Sequence, residues 1–192
     1  MDAYLLSKRI FDIVFSALTL VIFFPLILII YIYFKVYDQG PFLFWSKRVG
    51  INSTLFLMPK IRSMHLDTPQ VATHLLSDGK KHLTPIGAFL RRTSLDEIPQ
   101  LFSILKGDMS FVGPRPALFN QEDLIALRCL HGVDRLVPGL TGWAQINGRD
   151  EISITQKVEL EKYYLQNKNF FFDLKIIFLT VFKVLRTDGI IH

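Results

Sequence analysis

The chain has 192 residues, is 50% hydrophobic and 13% aromatic, and carries only 20% charged side chains for a net charge of +5. That composition excludes a disordered chain, and 11 Gly and 9 Pro without a period exclude collagen-like or low-complexity sequence. The one cysteine, Cys129, excludes an internal disulfide framework and a Cys-cluster zinc site, and a mean hydropathy of +0.31 directs attention to a membrane segment.

That segment lies near the N-terminus. No charged residue occurs from Ile13 to Phe34, and a helix of about 20 apolar residues covers a hydrocarbon core of ~30 Å. No small-residue cleavage site follows, so a signal peptide fits poorly. Three details depart from an ordinary crossing. Pro25 sits inside the run, where it removes a helical hydrogen bond and favours a kink. Both flanks are basic, with Lys8 and Arg9 before and Lys35, Lys47, Arg48, Lys60 and Arg62 after. The positive-inside rule does not orient that pattern as a span, but accommodates it when the helix enters and returns on one side. Asp12, at the membrane edge, needs water or a cation. These residues leave two arrangements open: a single kinked crossing and a re-entrant helix. Residues 1–64 hold 7 basic and 3 acidic side chains against 15 and 14 in the remainder, so the basic excess sits where anionic headgroups would meet it. Nucleic acid is not indicated: there is no basic stripe, zinc finger or aromatic RNA-binding signature.

Residues 40–64 are aromatic and β-branched around turn residues Gly50 to Ser53, which predicts a short hairpin. Residues 65–85 are polar and read as a loop. Residues 94–106 read as a helix stopped by Gly107, and residues 117–131 as a second, amphipathic helix stopped by Gly132. Pro138-Gly139, Gly142 and Asn147-Gly148 mark tight turns. Ser153 and Gln156 form a capping-box pattern opening a helix to about Gln166. The segment from Phe170 to Arg186 is apolar but interrupted by Lys175 and Lys183, and fits either an interfacial helix or a core helix.

Several residues carry chemistry. Asp96 and Glu97 are adjacent carboxylates. Ser94 to Glu97 also fits a capping box, although Pro99 is costly at the fifth helical position. A helix beginning nearer Pro99 would free both carboxylates to face a site. Gly113-Pro114-Arg115-Pro116 holds one arginine between two prolines, and the planar guanidinium fork suits phosphate or carboxylate. Arg149, Lys60, Arg62 and Arg91 are further candidates for anion binding. The five histidines show no metal-ligand spacing, and no HExxH, GxSxG, Walker or GxGxxG motif occurs. Cys129 reads as a small buried hydrophobe on its helix. Carboxylates and arginines without a histidine dyad point to Mg²⁺-assisted phosphate chemistry.

The ordered set Lys8-Arg-x-Phe-Asp12, the apolar run with Pro25, Lys47-Arg-Val-Gly50, Lys60-Ile-Arg-Ser-Met64, Arg91 to Gln100, Lys106 to Pro116 and Pro138 to Arg149 resembles the bacterial sugar transferases, the monotopic phosphoglycosyl transferases, over nearly the whole chain. It resembles their minimal catalytic form. The resemblance implies transfer of a sugar 1-phosphate from a UDP-sugar to undecaprenyl phosphate, with release of UMP, as the first membrane step of surface-glycan synthesis at the cytosolic face of the bacterial inner membrane. It implies a re-entrant, proline-broken helix over 1–37, a cytosolic catalytic domain over 38–192 with interfacial helices, and an α/β fold in the loose sense: mostly helical with a small irregular sheet. Asp96 would be the nucleophile that forms a covalent phosphosugar intermediate and would bind Mg²⁺, with Glu97 beside it. Lys60, Arg91, Arg115 and Arg149 would bind phosphate. The implied partners are the UDP-sugar, with an N-acetylhexosamine as the leaning, undecaprenyl phosphate and membrane lipids.

The sequence departs from the family pattern at four places. Phe24 replaces a serine before the proline, Pro59 and Ile61 alter a Tyr-Lys-Phe-Arg motif, Ile154 replaces a tryptophan and Glu161 an aspartate. These changes touch local packing and leave Asp96, Glu97 and the Gly113 to Pro116 loop intact. The competing readings are a catalytically retired, membrane-anchored UDP-sugar-binding protein and a membrane-bound nucleotide-sugar phosphohydrolase.

Overall fold

The apolar run folds as α1, Ala3–Tyr33, and continues into a π-type turn at Phe34–Asp38. This and all that follows is read from a computed structural model that describes residues 3–38, 40–69, 79–148 and 152–186. Pro25 lies inside α1, and the helical assignment continues through it. Most of the helix surface is exposed and apolar, including Val21, Ile22, Phe24 and Ile29. One seam is buried: Asp12, Ser16, Ile30 and Phe34 are each 4% exposed or less, at the four-residue steps that share a helix face. Among the described residues α1 is the helix long and apolar enough to cross a membrane.

The first half of that seam is polar. The Lys8 ammonium donates to Asp173 at 2.7 Å and to the Val112 carbonyl at 2.9 Å. Arg9 donates to the carbonyls of Ile104 and Leu105, both at 2.6 Å. Asp12 accepts from the Phe111 N–H at 3.1 Å, so a backbone donor meets the need expected of that carboxylate. The second half is apolar: Ile30 and Phe34 pack with Ile61 and Leu90. Both ends of α1 therefore rest on one globular body.

That body begins with the expected hairpin. Strands β1 (Leu43–Val49) and β2 (Leu55–Ile61) pair antiparallel, Leu43 opposite Ile61 through Val49 opposite Leu55. Pro59 sits in register opposite Trp45. A two-stranded sheet tolerates it, because a proline there leaves only an outward edge without its N–H. The polar loop expected over 65–85 holds more structure than anticipated. Met64 bridges to Leu83, and residues Gly79–His82 form a 3₁₀ turn; residues 70–78 lie outside the described set.

Helices α2 (Gly87–Arg92) and α3 (Gln100–Lys106) follow, then a second small sheet of β3 (Ser110–Val112) parallel to β4 (Gly139–Thr141). Between these strands lies α4 (Glu122–Leu130). The expected helix over 117–131 thus starts five residues later than anticipated. Ala117 and Leu118 instead pair with β1, Val49 N–H donating to the Ala117 carbonyl at 2.9 Å and Arg48 bridging Leu118. Cys129 is exposed rather than buried, because α4 turns Leu124 and Arg128 inward and leaves the residue after Arg128 outside.

After the one-turn α5 (Trp143–Ile146), α6 (Ile154–Asn167) opens with the anticipated capping box, both Ser153 and Gln156 contributing. Helix α7 spans Phe170–Arg186. Asp173 and Ile176 are buried on one face, as a core helix requires, while Phe171, Phe178, Val181 and Phe182 are exposed on another. Val112, Leu124, Val133, Val158, Tyr164 and Ile176 form the main core where β3, α4, α6 and α7 meet. The observed class is mostly helical with two small sheets and one long apolar N-terminal helix.

Candidate active site

Pro99 shapes the segment that carries the two carboxylates. A proline five residues into a helix clashes with the carbonyl four positions earlier and offers no N–H. The chain avoids this by breaking. Ser94 adopts the left-handed region at φ 55°, Leu95–Glu97 make one 3₁₀ turn, and α3 starts after Pro99. The capping-box reading of Ser94 and Glu97 is therefore overturned: Ser94 makes no side-chain cap. The reading in which the helix starts at the proline and frees both acids is the one observed.

The freed acids have different surroundings. Glu97 Oε1 accepts from the Lys60 ammonium at 2.8 Å and from the Arg115 guanidinium at 3.3 Å. Burial alone would raise its pKa, but Lys60 and Arg115 outweigh that and hold the carboxyl well below the usual glutamate range. Asp96 is 6% exposed and takes part in no ion pair or hydrogen bond with the described residues. Burial, reinforced by the neighbouring Glu97 charge and opposed by Lys60, Arg91 and Arg115, raises it to about 6. Arg91 closes α2 within electrostatic reach of both acids, burial pulling its pKa down while Asp96 and Glu97 push it up.

Five of the six predicted site residues thus come together: Asp96 and Glu97 on their turn, Lys60 from β2, Arg91 from α2 and Arg115 from the loop after β3. Arg149 lies outside the described residues. Arg62 does not join the site. It pairs with Asp38 and donates to the Pro41 carbonyl at 2.9 Å, closing the end of α1 onto the hairpin.

The Arg115 loop is fixed by its surroundings. Gly113 N–H donates to Thr141 O at 2.9 Å and Gly139 N–H to Pro114 O at 2.8 Å. A Cβ on Gly113 would lie 2.3 Å from the Val137 carbonyl, and one on Gly139 2.1 Å from the Gly113 nitrogen. The glycines of both motifs are therefore there for backbone contact. Arg128, 8% exposed, binds both oxygens of Glu161 at 2.8 and 2.5 Å and donates to the Arg115 carbonyl at 3.0 Å.

Sequence reasoning missed three residues here: Arg128, Glu161 and Arg48. For Arg128 the available signal was its place four residues after Leu124 on the buried face of α4. For Arg48 it was the alternation with Ser46 on β1, since Arg48 Nε donates to the buried Ser46 hydroxyl at 2.9 Å.

A protein-only metal cage is not present: the described residues contain no cluster of three or more His, Cys, Asp or Glu side chains suited to a metal. Asp96 is nevertheless a carboxylate not spent on a cation. One carboxylate together with the oxygens of a bound diphosphate is a common Mg²⁺ ligand set, so the residues fit an ion that arrives with substrate.

The sequence profile of the bacterial sugar transferases matches residues 3–187. The chain is 38% identical to the undecaprenyl-phosphate galactose phosphotransferase of Salmonella typhimurium, over 95% of this chain and 41% of that protein. It is 39% identical to an uncharacterized sugar transferase, EpsL, of Bacillus subtilis, covering 97% of this chain and 91% of that one. It is 37% identical to a UDP-glucose:undecaprenyl-phosphate glucose-1-phosphate transferase of Caulobacter vibrioides, over 96% of this chain and 72% of the relative. The chain thus spans about two fifths of the Salmonella protein and most of the other two. With the profile running almost end to end and three such relatives, the chain belongs to the bacterial sugar transferase family.

Proposed function

We propose that the chain transfers a sugar 1-phosphate from a UDP-sugar to undecaprenyl phosphate, releasing UMP and leaving undecaprenyl-diphospho-sugar. The observation that carries this reading is the division of labour in the acid pair. Glu97 is tied to Lys60 and Arg115, while Asp96 is buried, has no ion pair among the described residues and lies within reach of Lys60, Arg91 and Arg115. A carboxylate that attacks a diphosphate approaches negative charge, and the surrounding cations lower that cost. The Salmonella and Caulobacter relatives are named for transfer to undecaprenyl phosphate, which supports the same chemistry here.

Asp96 attacks the β-phosphorus. Its oxygen forms a bond to phosphorus as the bond to the UMP oxygen breaks, and the electron pair leaves with UMP. An oxygen of undecaprenyl phosphate then attacks the same phosphorus and returns the electron pair to Asp96. Lys60, Arg91 and Arg115 neutralise the phosphate oxygens, with Arg149 a further candidate from sequence. Glu97 holds Lys60 and Arg115 in place, and its strong ion pairs make it a poor proton acceptor. Asp96 and the substrate phosphates would hold Mg²⁺, which when bound supplies further positive charge against the diphosphate.

For topology, we propose the re-entrant arrangement at the cytosolic face of the inner membrane. A straight helix of 31 residues is about 46 Å long. Here its first turns bind Asp173 and the α3 carbonyls, and its last packs on Ile61 and Leu90. Attachment of both ends to one body supports both flanks on one side of the membrane. The exposed apolar face of α7 suits the headgroup layer. A site held at the interface meets the lipid phosphate without extracting its tail.

The test is UMP release in detergent with Mg²⁺ and undecaprenyl phosphate. Donors are UDP-glucose, UDP-galactose and the UDP-N-acetylhexosamines, because the named relatives specify galactose or glucose while the sequence leaned to an N-acetylated sugar. The expected result is lipid-dependent UMP from one donor, lost in Asp96→Asn. Release without lipid would identify a phosphohydrolase instead, and donor binding without any release a retired enzyme.

A further inference from the structure

One cation close to the site, Arg48, has only neutral hydrogen-bond partners among the described residues. Arg48, half-buried on β1, donates through Nε to the Ser46 hydroxyl at 2.9 Å and through Nη1 to the Pro116 carbonyl at 3.1 Å. Both partners are neutral. Its Nη2 edge has no acceptor among the described residues, and no carboxylate there pairs with it. Beside it stands a second guanidinium: burial first, then Arg115, lowers Arg48 to about 10, with Glu97 acting weakly the other way. Two guanidinium groups this close in a half-buried place repel each other, and an anion accepting from both would offset that cost.

The arrangement is also rigid. The Arg48 to Leu118 bridge and the Val49 to Ala117 hydrogen bond splint β1 to the chain just after Arg115. Arg115 is held at its carbonyl by Arg128 and at its guanidinium by Glu97. Two forked donors are thus mounted on adjacent, mutually braced segments, and the planar fork of a guanidinium matches the oxygens of a phosphate.

We propose that Arg48 and Arg115 form a phosphomonoester subsite used twice in each cycle, first by the phosphate of the departing UMP and then by the phosphate of the incoming polyprenyl lipid. This inference rests on the proposed transfer reaction. Its logic is stereochemical. The leaving oxygen and the later attacking oxygen each stand in line with Asp96 across the same phosphorus. One nucleophile therefore places UMP and lipid phosphate successively on one side. Both are phosphomonoester dianions, so one pair of arginines serves both. No new bond changes are added to the two displacements already described.

The experiment uses the full chain in detergent and compares wild type, Arg48→Gln, Arg48→Lys and, as a charge control, the exposed Arg135→Gln. Three quantities are read: the UMP product-inhibition constant, KM for undecaprenyl phosphate, and the unfolding temperature. Arg48→Gln is expected to raise the first two together, by about tenfold or more. Arg48→Lys should recover part of both, because it keeps the charge and loses the fork, and Arg135→Gln should change neither. If Arg48→Gln does not fold, the lysine variant carries the same comparison.

An unchanged UMP constant with reduced turnover would overturn the subsite and leave Arg48 a brace for the Arg115 loop. A rise confined to UMP, or confined to the lipid, would overturn the double use. In all these cases wild-type turnover stands. Wild type that releases no UMP from any donor would instead remove the transfer reaction, and the subsite with it.

Discussion

Two clusters of buried charge grip the Arg115 loop, and they are built on opposite accounting. On one side Arg128 and Glu161 meet two oxygens to two donors, 9% and 3% exposed, with charges that cancel. On the other, Glu97 faces Lys60 and Arg115 while Arg48 and Arg91 stand close by and Asp96 is left without a direct partner. The balanced pair satisfies itself and asks for nothing. Among the described residues the other cluster places four cations around two carboxylates. Ion pairs that look alike by distance thus separate into structure and site once the surrounding charge is counted.

The comparison can be broken first at Asp96. Asp96→Asn is expected to reduce UMP release by at least about 10⁴-fold, because a covalent nucleophile has no substitute. The check is a discontinuous UMP assay against a protein that still extracts and elutes as wild type. The balanced pair should respond in stability instead. Arg128→Met leaves Glu161 as an uncompensated buried charge and is expected to cost about 3–5 kcal/mol. Arg128→Met combined with Glu161→Leu should recover much of that loss, as read by unfolding temperature. Equal losses in single and double variants would remove the idea that the pair is self-contained.

Glu97→Gln sharpens the contrast. It releases Lys60 and Arg115 from their shared anchor, and kcat/KM for the donor is expected to fall by about 10²-fold, with a drop in unfolding temperature smaller than that of Arg128→Met. A fall restricted to one arm of the pH profile would point to a proton-transfer role for Glu97 instead.

The smallest effects concern protons. Asp96 in the substrate-free fold sits at about 6, above its ordinary 3.8. The folded state therefore binds this proton more tightly than the unfolded chain does. The favourable contribution is complete below about pH 4 and is lost as pH rises through 6, where the ionised carboxylate becomes a cost. Asp96→Asn should accordingly stabilise the substrate-free protein at pH 7.5 by about 3 kcal/mol, a difference that fades toward pH 4. Donor kcat/KM should fall with one proton as pH drops below 6. A variant no more stable than wild type at neutral pH would contradict the burial of an unpaired charge.

Local patterns proved legible wherever a few neighbouring residues decide the outcome. The capping box at Ser153 and Gln156, the hairpin around Gly50 to Ser53, and the bounds of α7 at Phe170 and Arg186 were each readable from spacing. Reading failed where a second element competes. Ser94 and Glu97 match a capping box, but Pro99 and the pull of Lys60 and Arg115 win. Residues 117–121 have helical character, but β1 takes their backbone. Strands β3 and β4 are three residues each, too short for an alternation to show.

The long apolar helix α1 shows the same boundary. Lys8, Asp12 and Ser16 stand at four-residue steps, a stripe visible in the sequence, but in sequence they read as a charged flank and an isolated acid. Folded, Lys8, Arg9 and Asp12 hold the end of α3 and the strand leading to Arg115, so α1 braces the elements that carry the site.

The sequence by itself determined the apolar segment, the acid pair and the proline-locked arginine, because residue type and short-range spacing suffice for each, and its ordered motifs carried the resemblance to the family. Only the tertiary structure decided which acid is anchored and which is free. It alone showed that Arg128 reaches Glu161, and that Arg48 stands beside Arg115 with no carboxylate among the described residues. Those outcomes depend on burial and on charges brought together from 13 to 67 residues apart, and Coulomb interactions follow distance in space, which chain order does not fix.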